Sequence, residues 1–458
     1  MSISPVLQPF VKGSPLTVMV RSALEWLVDE IVIEQIFDKA AVSQYTRELT
    51  LSHLVDVLLD VASGVRPSAR AAFRARELDR VVSASAFYAK LSRMESEVAA
   101  AIVRHTAERA RMVIEASGGK LDEPIPGYST RILDGNVLSG SEHRIAVLRK
   151  TRAAGLPGKL LAVFEPATAL VLQYVPCEDA YTQERALLDG VEIEAGQLWI
   201  ADRNFCVRRF LDRIASLGAF FVVRRHGSAL PFTPKAGLRP VGRVETGEVF
   251  EQEIAVEGLE GDRFASLRRI VLVLDQPTTD GDTEIELITN LPAEVAAAAC
   301  CEAYRVRWRI ERHFQTMTDL LHCEIPSLGH PRAALFVFGI SLVASHALAM
   351  VESGLRAVHG EESVEELSRH QVVDEVSHVH RGMMIAVPAT HWEFLRAYTV
   401  AEMAALLNTV ATHVRIDRMR RNRRGPRKPR NTPKSPHRHR STKRLLDEDQ
   451  AKRGLKKK

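Results

Sequence analysis

Two short apolar runs, far apart in the chain, each close on an aspartate, and this constrains the fold more than any other feature. Residues 131–135 (Arg-Ile-Leu-Asp-Gly) read as a strand ending on Asp134. Residues 197–202 (Gln-Leu-Trp-Ile-Ala-Asp) read as a buried strand ending on Asp202. Between them, residues 160–164 and 169–175 are apolar, β-rich runs parted by Glu165-Pro-Ala-Thr168, the pattern of a hairpin. After them, residues 207–216 predict a helix with Gly218 as its cap, and residues 219–224 a further strand. The order β, β, β, β, α, β specifies an α/β unit with two acids at strand ends. Asp275 closes another apolar run over residues 271–274 and is assigned no role.

The flanks have other textures. Residues 16–118 carry apolar positions at spacings of three and four, so the N-terminal region is helical. Within it, residues 80–93 are compatible with the second half of a helix-turn-helix, Ser83 or Ser85 capping a helix that presents Tyr88, Lys90 and Arg93; an ordinary amphipathic helix is the simpler reading. Residues 227–290 are rich in Gly and Pro, with alternating runs at 249–256 and 268–274, and predict an antiparallel β insertion. Residues 293–322 then predict one long helix. Residues 333–351 form a strongly apolar helix nearly long enough to span a membrane, but Ser341, Ser345 and His346 within it favour a buried core helix. The resulting organisation is a helical N-terminal region over 1–123, expected to bind DNA, a catalytic core over 124–226 and 291–355 interrupted by the 227–290 insertion, a C-terminal helical region over 356–414, and a disordered basic tail over 415–458.

Charge is unevenly placed. From residue 418 onward there are 18 Lys/Arg against three acids, a net +15, which leaves −10 for the rest of a chain totalling +5. Such a tail binds polyanions through counterion release, independently of sequence, or is simply solvated. The five Cys are scattered, odd in number and without C-x-x-C spacing, which argues against a disulfide scaffold or structural zinc site. With no basic segment leading an apolar one near Met1, a cytoplasmic, nucleoid-associated protein with no membrane role is expected.

The chemistry concentrates on the helix over 293–322. At about 100° per residue, Tyr304, Arg307, Glu311, Gln315, Thr318 and His322 fall within roughly 80° of one another, beside an apolar face of Ala303, Val306, Ile310, Met317 and Leu321. Glu311 would thus join Asp134 and Asp202 as a third carboxylate at a sheet edge. Hard oxygen ligands of this kind suit Mg²⁺, and two such ions can serve phosphodiester displacement.

The pattern resembles DDE transposases of the IS4 family, whose third-acid helix carries a Tyr-x2-Arg-x3-Glu-x6-Lys signature. Tyr304, Arg307 and Glu311 match it, Asp134-Gly135 is similar to the family's first acid element, and Asp202-Arg-Asn-Phe205 to its second. The likeness spans about residues 125–350, and residues 83–93 also look like a stretch found in the family. The Lys is replaced by Thr318, so its contact to the terminal phosphate would be missing or supplied by Arg312 or a tail residue. The insertion also lacks a Trp on which a flipped base could stack, leaving Phe232, Phe250 or Phe264.

The resemblance implies an RNase H-like catalytic domain and cut-and-paste transposition: nicking at the element ends, attack of the freed 3′-OH to form a hairpin, reopening, and strand transfer to target DNA. It implies catalytic and metal-ligating roles for Asp134, Asp202 and Glu311, with Asp134 bridging two Mg²⁺ (Mn²⁺ also tolerated). Tyr304, Arg307, Arg312 and Thr318 would lie along the DNA, and a homodimer would pair two inverted-repeat ends. A transposase-derived DNA-binding protein without catalysis, and a structure-selective nuclease on the same fold, are the alternatives. An Arg307–Glu311 ion pair at i, i+4 is expected in the absence of DNA.

Overall fold

The computed structural model describes residues 5–44, 48–227, 229–256, 266–278, 281–421 and 439–455. Its centre is a mixed sheet. Strands β1 (Ser129–Val137), β3 (Lys159–Glu165), β4 (Leu170–Cys177), β5 (Gln197–Ala201) and β6 (Phe220–Arg224) lie in the order β4-β3-β1-β5-β6; β2 (Gly155–Leu156) stands apart. The first three form an antiparallel meander, whereas β1, β5 and β6 are parallel neighbours. This is an RNase H-like core.

The strand over residues 131–135 does not stop at Asp134, as the sequence suggested. Its antiparallel pairing with β3 runs on to Val137↔Lys159, while its parallel pairing with β5 ends at Leu133↔Ala201. Asp134 therefore sits where the sheet parts, and Asp202 is the next residue beyond the last paired position of β5.

The insertion supplies β7 (Phe232–Pro234), β8 (Arg239–Val244), β9 (Gly247–Val256), β10 (Leu267–Leu274) and β11 (Glu284–Thr289). It is antiparallel, as expected, but it is no separate layer. Strand β11 pairs with β6 from Leu287↔Arg224 to Thr289↔Val222, so the insertion prolongs the core sheet to ten strands and covers an edge that would otherwise expose unpaired backbone.

The sheet has two apolar faces because its side chains alternate. Ile132, Leu160, Ala162, Ile200 and Val222 face the larger hydrophobic cluster. Leu133, Leu161, Val163, Trp199, Phe221 and Val223 face a smaller one with Phe210 and Ile214 of α8 (Arg208–Ser216). The seven helices before the sheet are α1 (Gln8–Gly13), α2 (Pro15–Leu27), α3 (Glu30–Ala40), α4 (Leu51–Ala62), α5 (Ala69–Ala75), α6 (Ala84–Leu91) and α7 (Ser96–Ser117). They pack into the larger cluster, through α7 against β4. Ser83 caps α6 as expected, but Lys90 is turned inward onto the Leu49 carbonyl and lies 5.5 Å from the Phe37 ring centroid. It is not presented outward, because Phe87 and Leu91 bury the same side of this short helix.

After the insertion come α9 (Ala297–Arg305) and α10 (Trp308–Leu320), then α11 (Pro331–His359), α12 (Glu361–Glu365), α13 (Arg369–Ala386) and α14 (Val400–Ala411). The one long helix expected over 293–322 is thus two. At the junction the Val306 and Arg307 N–H groups bond to the carbonyls of Ala303 and Tyr304, three residues back, which tightens one turn into 3₁₀ form. His322 lies past the helix end with φ +42°. Helix α11 is the apolar helix, and it is largely buried, against α7 among others, as a core helix should be.

Two residues of β12 (Arg440–Ser441) pair with β2, and α15 (Thr442–Leu455) follows. Disorder throughout 415–458 is therefore an over-extension. Asp179 accepts bonds from Ser441 Oγ at 2.7 Å and Arg444 Nε at 2.8 Å, while Thr442 and Leu445 are buried, and these contacts hold a segment whose composition alone looks unstructured. Residues 422–438 and 456–458 lie outside the described residues.

His346 joins three layers. Its Nε2 lies 3.2 Å from the Val171 carbonyl of β4 and its Nδ1 3.0 Å from the Thr106 hydroxyl of α7. Nε2–H donating to Val171 and the hydroxyl donating to Nδ1 satisfies both contacts with a neutral ring. Burial lowers its pKa to about 3, and that of His313 likewise to about 3. Between about pH 6.5 and 3 the unfolded chain binds protons that the folded one does not. Stability is therefore full above pH 6.5 and falls on acidification, by up to about 1.4 kcal/mol per pH unit for each histidine. Urea unfolding at pH 7 and pH 5 should show this loss, and His346→Leu should reduce it.

Candidate active site

The site forms where β1 and β5 separate, on the sheet face covered by α10. Alternation places Asp134 and Asp202 on the same face as Ile132 and Ile200. Asp202 caps the short 3₁₀ turn after β5, its Oδ1 accepting the Asn204 N–H at 2.8 Å. This explains the spacing to Phe205, which is fully buried beneath the turn. Gly135 points to the other sheet face, where a Cβ would come within 2.7 Å of the Glu184 carboxyl carbon. A larger residue next to Asp134 would have to displace that side chain.

Arg307 binds the site together. Its Nη1 lies 3.2 Å from Asp134 Oδ2, and its Nη2 lies 2.7 Å from Glu311 Oε1. The expected i, i+4 pair is thus present, and the same guanidinium also reaches the first acid. Its Nε, also buried, has no partner among the described residues. Tyr304, buried to 7%, lies with its ring centroid 5.9 Å from the guanidinium.

Electrostatics tie the three acids together. Burial pushes the Asp134 carboxyl up to about 7; Arg307 opposes the shift, and the charges of Asp202 and Glu311 add to it. Asp134 and Glu311 share the Arg307 guanidinium, and Asp202 adds a third carboxylate nearby. Among the described residues, no group of three or more His, Cys, Asp or Glu side chains is gathered closely enough to hold a metal ion. The donors nonetheless fit a hard divalent cation in chemistry, since they are all carboxylate oxygens.

The other expected residues are placed differently. Thr318 lies two turns beyond Glu311 on the same side of α10, exposed, its hydroxyl donating back to the Phe314 carbonyl at 3.1 Å. Arg312 is exposed and lines a cleft behind the helix, away from the acids. Phe232 is held between the guanidiniums of Arg225 and Arg269, 4.8 and 5.4 Å from its ring centroid. Phe250 is half-buried on β9, and Phe264 lies outside the described residues.

Sequence reading passed over Trp308. It is 59% exposed, whereas Trp26, Trp199 and Trp392 are buried, and its ring centroid lies 5.6 Å from the Arg307 guanidinium. The signal was available in its position directly after Arg307, but a helix drawn through residues 306–307 without a break obscures which way it faces.

Residues 125–344 match the family described as the transposase DDE domain. The chain carries an IS4-family transposase DDE domain. No curated protein matches the chain. The transposase domain begins just before β1 and ends within α11, so it contains Asp134, Asp202, Glu311 and the whole insertion. The family supports a phosphoryl-transfer nuclease of the transposase type.

Proposed function

We propose that this protein cuts and joins DNA at the ends of an insertion sequence, with Asp134, Asp202 and Glu311 as its catalytic, Mg²⁺-binding carboxylates. The observation that carries the reading is the Arg307 bridge between Asp134 and Glu311, beside Asp202 on the adjoining strand. It draws acids from a strand and a helix 177 positions apart into one charged unit. When bound, two divalent ions would neutralise charge developing on the attacking and leaving oxygens.

The chain's own residues supply positioning. A guanidinium pairs with phosphate as it does with carboxylate, through a two-pronged fork, so Arg307 can exchange a carboxylate for the scissile-end phosphate as DNA arrives. Tyr304 keeps the guanidinium in place, and exposed Trp308 offers a flat apolar face for an unstacked base or sugar beside it. Nicking, hairpin formation, reopening and strand transfer are all phosphoryl transfers, so one site can serve them in turn by aligning successive nucleophiles. A cytoplasmic homodimer holding two ends, with Mn²⁺ able to replace Mg²⁺ and the basic C-terminal tail adding nonspecific affinity, completes the proposal.

The test is incubation with a plasmid carrying the gene's own flanking DNA and Mg²⁺. Cut and joined products support a transposase, whereas cut product alone would indicate a nuclease. Specific binding of the flanks without excision would instead favour a DNA-binding protein that no longer catalyses. Thr318, a neutral residue exposed on the acidic side of α10, is the observation favouring that second reading. Thr318→Lys should tighten binding of end DNA by about fivefold at low salt, the effect of one added phosphate contact, with the gain shrinking as salt rises. An unchanged affinity in a gel-shift titration would remove position 318 from the DNA path.

A further inference from the structure

Between β1 and β3 the chain makes an excursion over residues 138–158 that carries four Arg/Lys and one acid. The excursion is built into the fold. The Ser139 hydroxyl donates to Glu324 at 2.6 Å, the Glu142 N–H to the Pro326 carbonyl at 3.0 Å, and the Ser141 N–H to the Gly155 carbonyl at 3.0 Å. A 3₁₀ turn, Ala146–Lys150, buries Leu148 and ends on exposed Arg149 and Lys150, with exposed Arg152 just beyond.

The C-terminal segment docks on this excursion. Arg440 of β12 lies opposite Gly155 of β2, and His439 Nδ1 lies 3.3 Å from the Ala154 carbonyl. A Cβ on Gly155 would come within 2.7 Å of the Leu148 side chain and 2.6 Å of the Thr442 hydroxyl, so the turn, β2 and β12 approach as closely as only glycine allows. Exposed Arg440 is thereby brought beside Arg149, Lys150 and Arg152.

The acids next to these four cations have other partners. Glu142 pairs with Arg144 at 2.5 Å, Glu178 with Arg332 at 2.8 Å, and Asp179 with Arg444 at 2.8 Å. On α15, Asp447 and Asp449 pair with Lys443 and Arg453 of the same segment, which leaves Glu448 as its one acid without a cation among the described residues. Arg149 bonds only to the Arg144 carbonyl, at 3.4 Å, and none of the four has a carboxylate within 4.0 Å among the described residues. The exposed cations of the insertion differ: Lys235, Arg239 and Arg243 lie 3.5, 3.7 and 2.5 Å from Glu253, Glu251 and Asp275.

Position supplies the second argument. Val137, three residues beyond Asp134, pairs with Lys159, and Gly155 precedes Lys159 by four. Chain reach and one strand spacing put Gly155 at most about 30 Å from Asp134. One turn of B-DNA is about 34–36 Å long. We propose that Arg149, Lys150, Arg152 and Arg440 form a surface that holds the phosphate backbone of duplex DNA within one turn of the cut. The inference rests on the reading of this chain as a DNA-cutting protein, and it assigns the path of the duplex beyond the carboxylates.

Fluorescence anisotropy tests it, with the full chain and a labelled duplex carrying the gene's flanking end, in EDTA so that nothing is cut. The triple variant Arg149→Ala/Lys150→Ala/Arg152→Ala should bind about tenfold more weakly at low salt. Its slope of log affinity against log salt should be shallower by about two to three, since each phosphate contact contributes about 0.9. Arg440→Ala should lower the slope by about one, and Arg149→Lys/Arg152→Lys should leave it unchanged. A duplex of unrelated sequence should show the same losses, because phosphates carry no sequence. Lys235→Ala/Arg239→Ala/Arg243→Ala removes as many charges from the insertion and should change the slope far less. Matching melting curves establish that all variants are folded. An unchanged slope in the triple variant would overturn the proposal. An equal loss in the insertion variant would do so too, by making bulk charge the cause, as would tighter binding of a single strand with the same dependence on the four cations. Cleavage with an unchanged slope would remove this surface alone, whereas a slope that depends on these cations without cleavage would remove the catalytic reading and leave the surface.

Discussion

Asp202→Ala should reduce DNA cleavage by at least about a thousandfold while leaving the affinity for end DNA within a few-fold of the wild type. Asp202 lies at the end of a buried strand, its backbone held by β5 and the turn that follows, so removing its carboxylate deletes charge without disturbing the fold. The cap it provides to the Asn204 N–H is replaceable by water at this half-exposed position. The loss should have a second signature apart from catalysis. A cation that binds only the folded state at a hundred times its dissociation constant adds about 2.7 kcal/mol to stability. Mg²⁺ or Mn²⁺ should therefore raise the melting temperature of the wild type, and much less that of Asp202→Ala. A variant that still cuts, or that gains the same stability from the ion, would show that Asp202 is not part of the site.

Glu352→Ala should be the most destabilising of the substitutions considered, at about 3–5 kcal/mol in urea unfolding. Glu352 is 9% exposed, and Arg369 and Arg356 both face it from within the protein. Its carboxyl lies below the usual range because the Arg369 charge and hydrogen bonds outweigh its burial. Truncation removes the carboxylate shared by the buried Arg356 and the half-buried Arg369. The double variant Glu352→Leu/Arg369→Leu should recover much of the loss, since replacing a whole buried pair is far cheaper than breaking it. A single variant costing under about 1 kcal/mol would mean that the pair is solvated in the folded protein.

The misreadings share a cause. Strand β1 runs past Asp134 because β3 continues to pair with it, a partner that residues 131–135 by themselves do not reveal. The long helix breaks at Val306–Arg307 with no Gly or Pro there to end it; the turn is tightened by two bonds reaching three residues back. Residues 440–455 look like solvated tail until Asp179, 261 positions before Arg440, provides the anion that fixes them.

Local chemistry was enough for much of the rest. Continuous apolar, β-rich runs determined the core strands, alternation the insertion, the three-and-four spacing the helical N-terminal region, strong apolarity the buried α11, and the Tyr-Arg-Glu spacing identified the helix that carries the third acid. These patterns are local because each residue's face is set by the period of its own element. Tertiary structure alone decided that the insertion prolongs the catalytic sheet, that Arg307 bonds Asp134 as well as Glu311, that Arg312 turns away from the acids, and that Trp308 lies open beside them. Those outcomes depend on contacts between residues tens to hundreds of positions apart, where the burial of charge and the pairing of strand edges, rather than any local preference, determine which arrangement is lowest in free energy.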